Sequence, residues 1–133
     1  MREILFRGKR VDGGGWIYGW LALEDFIIAW STSDAKAVPM LVDKSTVGQF
    51  TGLKDNGGRR IFEGDVLKLP RNDSVIDSIH EVFYHDDSFV TENVLYKNKD
   101  TAGKNSLTWV IAKGGVVVGN VHDNPELMGG LEA

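Results

Sequence analysis

Hydrophobic residues in this chain occur in short runs that alternate with polar residues or glycine, a pattern typical of β-strands. The run 16–23 is the clearest, because Trp16, Tyr18 and Trp20 fall on one face at a period of two while apolar residues occupy the other face. With both faces apolar, we expect this strand to be central in a sheet or to lie under a partner subunit. A second apolar run at 26–30 predicts a hairpin between the two.

The strongest turn signal lies near the middle of the chain. Asn56-Gly57 is typical of tight hairpin turns, and it separates the runs 49–53 and 59–69. Gly64 interrupts the second run, which indicates a bulge or a close approach of two backbones. We therefore expect a small barrel or roll of short antiparallel strands centred on residues 49–69, with an SH3-like centre as one form of it.

The remaining segments predict further short strands and little helix. One helical turn is predicted at residues 43–46, which are rich in helix-capping residues. A second is predicted at residues 124–127, where Pro125 suits the first position of a helix. No segment longer than about 12 residues has a clean period of 3.6, so the fold class is mainly β, either all-β or a β-dominated α+β fold. The other strand candidates are residues 3–7, 38–42, 81–84, 89–94, 107–112 and 116–121.

Length and composition describe an ordinary soluble domain. The chain has 133 residues, of which 42% are hydrophobic and 26% are charged, and it is long enough to bury a core. We expect a single domain over residues 1–133, with two small β lobes at about 1–45 and 46–133 as the alternative. No apolar run approaches the roughly 20 residues of a membrane span, and no secretory leader is visible.

The absence of cysteine excludes disulfides, thiolate metal sites and a cysteine nucleophile. It also agrees with a reducing, cytoplasmic location. The formal net charge of −4 disfavours general attraction to nucleic acid, because phosphate binding requires clustered basic residues. We expect no cofactor and no metal site.

Three blocks of sequence resemble the YopX family of phage and prophage proteins. They are MREILFR at residues 1–7, TVGQFTGLKDNGGRRIFEGDV at 46–66 and VGNVHDNPEL at 118–127. The middle block is the most specific of the three. The resemblance implies a mainly-β, phage-encoded domain in the cytoplasm of a bacterial host cell, and it brings no agreed catalytic residues or biochemical role.

The residues that stand out as candidates fall into two groups, and each has an ordinary structural interpretation. The aromatic residues near the N-terminus have three interpretations: they pack in a core, they form a protein interface, or they stack on nucleic-acid bases. The polar residues of the middle block have a structural interpretation, in which they accept hydrogen bonds from backbone amides of turns. For Glu63 and Asp65 the alternative is an acid–base pair. The candidate binding residues are Trp16, Tyr18, Trp20, Gln49, Thr51, Asp55, Glu63 and Asp65.

Three functions remain open from the sequence, and binding is favoured over catalysis. The first is an accessory protein that acts by protein–protein binding, either as a homo-oligomer or against a host or phage protein. The second is a nucleic-acid binding module that uses Arg2, Arg7, Lys9, Arg10 and the tryptophans. The third is a hydrolytic enzyme whose acids are Glu63 and Asp65. No membrane association is expected.

Overall fold

The computed structural model describes residues 4–31, 35–70, 78–85, 87–94 and 104–129. These ranges contain ten β-strands and two short helices, so the predicted mainly-β class is confirmed. The strands are β1 (Phe6–Arg10), β2 (Trp16–Ala22), β3 (Phe26–Ser31), β4 (Lys36–Lys54), β5 (Arg60–Phe62), β6 (Asp65–Leu69), β7 (Ser78–His85), β8 (Ser88–Asn93), β9 (Lys104–Ser106) and β10 (Val116–Asn120). The helices are α1 (Leu107–Ala112) and α2 (Glu126–Gly129).

The chain divides into two compact units, residues 1–52 and residues 53–133. In the first unit, β1 pairs with β2, β2 with β3 and β3 with β4, all antiparallel. The long strand β4 then also pairs with β1, which closes the pairings into a ring. The first unit is therefore a small four-stranded barrel, and β2 is central between β1 and β3 as predicted.

Strand β4 runs through a region where the sequence predicts a turn of helix. Residues 43–46 are extended, and the helix prediction is wrong there. The Asp43 carboxylate accepts the Ser45 amide at 3.0 Å, and Thr46 donates its hydroxyl to the Asp43 carbonyl at 2.6 Å. These capping-type bonds serve an irregular stretch of strand, where the pairing of β1 with β4 shifts register.

In the second unit, β10, β6, β7, β8 and β9 form an antiparallel sheet in that order. A hydrophobic core on this sheet packs against the buried side of α1, whose Leu107 and Val110 are 1% and 0% exposed. Strand β5 is hydrogen-bonded to β4, which confirms the predicted hairpin. The buried core residues are Ile61, Leu67, Val82, Leu107, Val110 and Val117.

The hairpin turn differs in detail from the Asn-Gly turn that the sequence predicts. The left-handed residue is Gly58, with φ of +85°, so the turn is longer than a two-residue type I′ turn. Strand β6 then leaves the hairpin and joins the second sheet. The closed barrel consequently lies in β1–β4, on the N-terminal side of the predicted centre at residues 49–69.

Residues 107–112 form helix α1, and the strand predicted there is wrong. Ser106 is the N-cap, and its side-chain oxygen accepts the Trp109 amide at 3.2 Å. The buried residues Leu107 and Val110 are three positions apart, which is helical spacing. The predicted helical turn at 124–127 agrees with α2, which begins at Glu126.

Candidate functional site

Where β2, β3 and β4 pair with one another, the side of the first unit's sheet that faces away from the barrel interior carries no charged residue. Charged residues border this stretch, with Arg7 of β1 opposite Tyr18 and Asp43 two residues after Leu41. Trp20 lies opposite Ile28, and Ile28 lies opposite Pro39. Residues directly opposite each other in antiparallel strands share a face, as do residues two apart along a strand. The register therefore defines an outer apolar face, made of Tyr18, Trp20, Ala22, Phe26, Ile28, Ala37, Pro39 and Leu41.

The outer apolar face is exposed, whereas the opposite face is the core of the unit. Trp20 is 64% exposed, Tyr18 is 47% exposed and Leu41 is 43% exposed. On the inner face, Ile27 and Val42 are 0% and 2% exposed. The interpretation that these aromatic residues pack in the core is therefore wrong for Tyr18 and Trp20. Their side chains belong to a large apolar surface that is exposed to water.

A cavity of about 360 Å³ opens on this face. Its volume is at the lower end of the range of ligand-binding pockets, and it offers space for one or two large apolar side chains. It is lined by Ile4, Leu5, Tyr18, Gly19, Trp20, Ile28 and Ala37.

The turn at the β2–β3 end of the face combines an exposed leucine with two carboxylates. Leu23 is 81% exposed and has φ of +58°, a left-handed conformation that is unusual for a leucine. Glu24 and Asp25 follow it, and Lys44 lies 3.9 Å from the Glu24 carboxylate. The apolar surface is thus bordered at this end by an acidic turn.

Trp16 has a different environment from Tyr18 and Trp20. The Arg7 guanidinium lies over its indole ring at 4.6 Å from the centroid, and the Lys9 ammonium lies 5.9 Å away. Arg7 itself is only 5% exposed. This cation–π arrangement covers the ring and uses two of the basic residues proposed for nucleic-acid binding. A third, Arg2, lies outside the described residues.

The other two candidates of the first unit lie on β4. Thr51 is 4% exposed and therefore buried. Gln49 is half-buried and lies opposite Phe6 of β1. Neither residue belongs to the outer apolar face.

Asp55 organises the turn between β4 and β5 in the second unit. Its Oδ1 accepts the amides of Gly57 at 2.9 Å and Arg59 at 3.0 Å, and its Oδ2 accepts the amide of Val117 at 2.9 Å. Burial acts to raise the pKa of the Asp55 carboxyl, but the amides of Val117, Arg59 and Gly57 outweigh it and lower the pKa below the usual value. Asp55 therefore acts as a structural clamp between the turn and β10.

Glu63 and Asp65 do not form a pair on one strand. Strand β5 ends at Phe62 and β6 begins at Asp65, with Gly64 at φ of +87° in the turn between them. Asp65 is 2% exposed and its Oδ2 accepts the Phe62 amide at 2.8 Å, whereas Glu63 is half-buried. The geometry gives Asp65 a turn-stabilising role.

Two asparagines of the last block hold a second network that the sequence analysis did not single out. Asn120 Oδ1 accepts the amides of His122 at 3.0 Å and Asp123 at 2.9 Å. The Asn124 Oδ1 accepts the backbone amide of Asn120 at 3.2 Å, and the backbone amide of Asn124 donates to the Asn120 carbonyl at 2.8 Å. The spacing of Asn120 and Asn124 just before Pro125 is the sequence signal that was available.

These two networks bring the middle and last blocks together. Val121 donates its amide to the Gly64 carbonyl at 2.9 Å, and Asn120 lies opposite Asp65 in the pairing of β6 with β10. Asp55 and Asn124 also bond backbone groups of β10, at Val117 and Asn120. We conclude that the polar residues of these blocks from Asp55 onward stabilise the second unit, while the exposed apolar surface lies in the first.

The three histidines lie in different surroundings in the described part of the chain. His80 is buried and its Nε2 lies 2.8 Å from the Ser78 hydroxyl, and His85 contacts the Phe83 ring at 6.1 Å between centroids. Within the described ranges, no group of three or more His, Asp or Glu side chains has an arrangement suited to a metal ion. The longer described helix, α1, has six residues, and none of the described helices has the length and apolar character to cross a membrane.

The fold and the exposed face define a small antiparallel β protein with two units and an uncovered apolar sheet surface. The family described as YopX protein matches residues 23–129, and this chain belongs to that family. The crystal structure of protein EF1440 from Enterococcus faecalis aligns with 96% of this chain and 99% of its own length, at 24% sequence identity and a TM-score of 0.56. At this identity the likeness shows the fold alone. No curated protein matches the chain.

Proposed function

We propose that this protein is an accessory protein of a phage or prophage that acts by binding another protein through the outer apolar face. The observation that carries the proposal is the exposure of Trp20 at 64%, on the same face as Tyr18 and Leu41 and within a patch of eight residues that has no charged member. Exposed apolar patches of several hundred Å² mark interaction sites, and buried Trp and Tyr side chains carry much of the affinity of interfaces. The family resemblance supports the phage origin.

The occupant of the face is a segment of a different protein, and not a second copy of this chain. A stable interface buries about 800 Å² and roughly 20–30 residues on each partner, whereas the outer apolar face has eight described residues. A segment with one apolar side fits this area better.

Nucleic-acid binding receives less support from the geometry. Trp16 is covered by Arg7, so its ring is not presented for base stacking. Tyr18 and Trp20 are accessible, but the turn next to them is acidic, with Glu24 and Asp25, and would repel phosphate.

Site-directed photo-crosslinking in lysogenic or phage-infected cells tests the proposal. A photoreactive benzophenone amino acid at position 41 is expected to give a discrete heterologous adduct. The same residue at position 84 is the control, because Tyr84 is a 53% exposed aromatic of the second unit. Adduct formation at position 41 is expected to disappear in a Trp20→Glu background.

Equal adducts at positions 41 and 84, or adducts that persist with Trp20→Glu, would contradict the proposal. An adduct between two copies of the chain would replace the heterologous partner with self-association. Light scattering over a range of concentrations then checks that result, because a second copy on this face predicts a dimer that Trp20→Glu dissociates.

A further inference from the structure

We infer that the segment bound on the outer apolar face is an amphipathic helix, with a large apolar side chain in the cavity between Tyr18 and Trp20 and a basic residue against the acidic β2–β3 turn. This inference rests on the proposed function and adds the form and chemistry of the partner. It draws on the short sheet edge beside Trp20, the cavity and the charge of the turn.

Strand addition has little room beside the exposed aromatics. An extended peptide that binds by strand addition needs an exposed sheet edge. The pairing of β2 with β1 ends at Gly19 and its pairing with β3 begins at Trp20, so the open edge beside Trp20 has only three residues, 20–22. Residues 36–41 of β4 pair only with β3, and that edge lies two strands from Trp20. A partner that covers Trp20 and the cavity therefore binds mainly through side chains on the face. A helix with one apolar stripe is the element that usually covers a sheet face in this way.

The cavity supplies the anchor point for that helix. It holds about 360 Å³, and two of its lining residues, Tyr18 and Trp20, are the exposed aromatics of β2. Interfaces commonly place one large apolar side chain in such a pocket, surrounded by contacts that exclude water. We expect Leu, Phe, Met or Trp at the anchor position of the helix.

The acidic turn sets the charge of the partner and its spacing from the anchor. Trp20 lies opposite Ile28, so Glu24 is four residues and Asp25 three residues from that level of the hairpin, at most about 10–13 Å at about 3.3 Å per extended residue. An α-helix covers this distance in about seven or eight residues at 1.5 Å per residue. Residues seven or eight apart share a helical face, so a Lys or Arg at this distance from the anchor would meet the two carboxylates.

The conformation of Leu23 is an independent observation that points to the same end of the face. Leu23 keeps a left-handed φ of +58° and exposes 81% of its surface next to the acidic pair. Glycine or asparagine would occupy this turn position at lower cost. Strained residues of this kind are found where the side chain has a use in binding, and here the leucine extends the apolar surface beneath the helix.

A display library of helical peptides, randomised on one face, tests the inference on the full-length protein. Selection on the wild-type chain with counter-selection on Trp20→Glu isolates peptides that bind the outer apolar face. We expect enriched peptides to carry apolar residues at i, i+3, i+4 and i+7 and a Lys or Arg seven or eight positions from the largest one. Enrichment of acidic residues there, of peptides without helical spacing, or of none, would overturn the inference.

Variants of the turn give the matching quantitative test. For the best peptide, Glu24→Gln combined with Asp25→Asn is expected to weaken binding about two- to fivefold at low salt, as for an exposed ion pair. Asp87→Asn in the second unit, also an exposed carboxylate, is the control and should change nothing. Unchanged affinity in the double variant would contradict the charge assignment. If the helix inference fails while the crosslink at position 41 persists, the proposed function stands without it.

Discussion

The two units of this protein differ in whether a hydrophobic sheet face is covered or exposed. In the second unit, helix α1 covers the sheet, and Leu67, Val82 and Val110 are completely buried. In the first unit, the inner face is equally well buried at Ile27, but the outer face leaves Trp20 in water. The second unit therefore covers its hydrophobic sheet face with its own helix, whereas the first leaves an apolar face exposed.

The largest expected difference in stability is between truncating a leucine in the core of the second unit and truncating one on the outer apolar face of the first. Leu67→Ala removes a completely buried side chain of the second unit and is expected to lower the free energy of unfolding by about 2–5 kcal/mol. Leu41→Ala, on the outer apolar face, should change it by less than about 0.5 kcal/mol. Denaturant unfolding followed by circular dichroism compares the two, and a large loss with Leu41→Ala would show that the face is structural.

The second prediction concerns the polar clamp of the second unit. Asp55→Ala leaves the amides of Gly57, Arg59 and Val117 without their acceptor, and we expect a loss of about 3 kcal/mol, at about 1 kcal/mol or more for each bond. Asp12→Ala is the control, because Asp12 also accepts a backbone amide, that of Gly14, but is exposed. Similar thermal unfolding of both variants would argue against the clamp.

The third prediction separates stability from binding at the turn of the first unit. Leu23→Gly relieves the left-handed conformation at φ of +58°, so the free energy of unfolding should rise by about 0.5–1 kcal/mol. Binding of the partner helix should weaken at the same time. Asp25→Gly, at a position without positive φ, is the control and should destabilise the protein. A destabilised Leu23→Gly variant would show that the leucine is needed for folding.

The smallest expected effect is a pH dependence that comes from the second unit. The pKa of Asp55 is lower in the folded chain than its usual value near 3.8, because the amides of its turn outweigh the effect of burial. The stabilisation is thus fully present above that value and is lost as the pH falls through the folded pKa. Unfolding curves between about pH 2 and 6 should be less pH-dependent for Asp55→Asn. An unchanged pH dependence would contradict this role.

Local patterns were enough to predict most of the strands and the hairpins of this fold, but not β9 or the middle of β4. The alternation at Trp16, Tyr18 and Trp20 located β2, and Asn56-Gly57 located the turn after β4. Helix α1 was missed because a six-residue apolar segment with Val and Ile fits a buried strand equally well. Its N-cap Ser106 was the distinguishing signal.

The site was predictable only in part, since the missing information is long-range. The sequence shows that both faces of β2 are apolar, but the pairing of β1 with β4 decides which of them becomes the barrel interior. In the same way, Asp55 is recognisable as a turn residue, whereas its bond to Val117 joins positions 62 residues apart. Such contacts follow from topology and have no local signature.

Oxidative footprinting of the chain with and without its captured partner tests the central claim most directly. We predict that the partner protects Tyr18 and Trp20 from hydroxyl-radical oxidation, because it covers the outer apolar face. Tyr84 and Trp109 of the second unit, which are 53% and 44% exposed, should react equally in both samples. Undiminished oxidation of Trp20 in the complex, with protection of Tyr84 or Trp109 instead, would contradict the account.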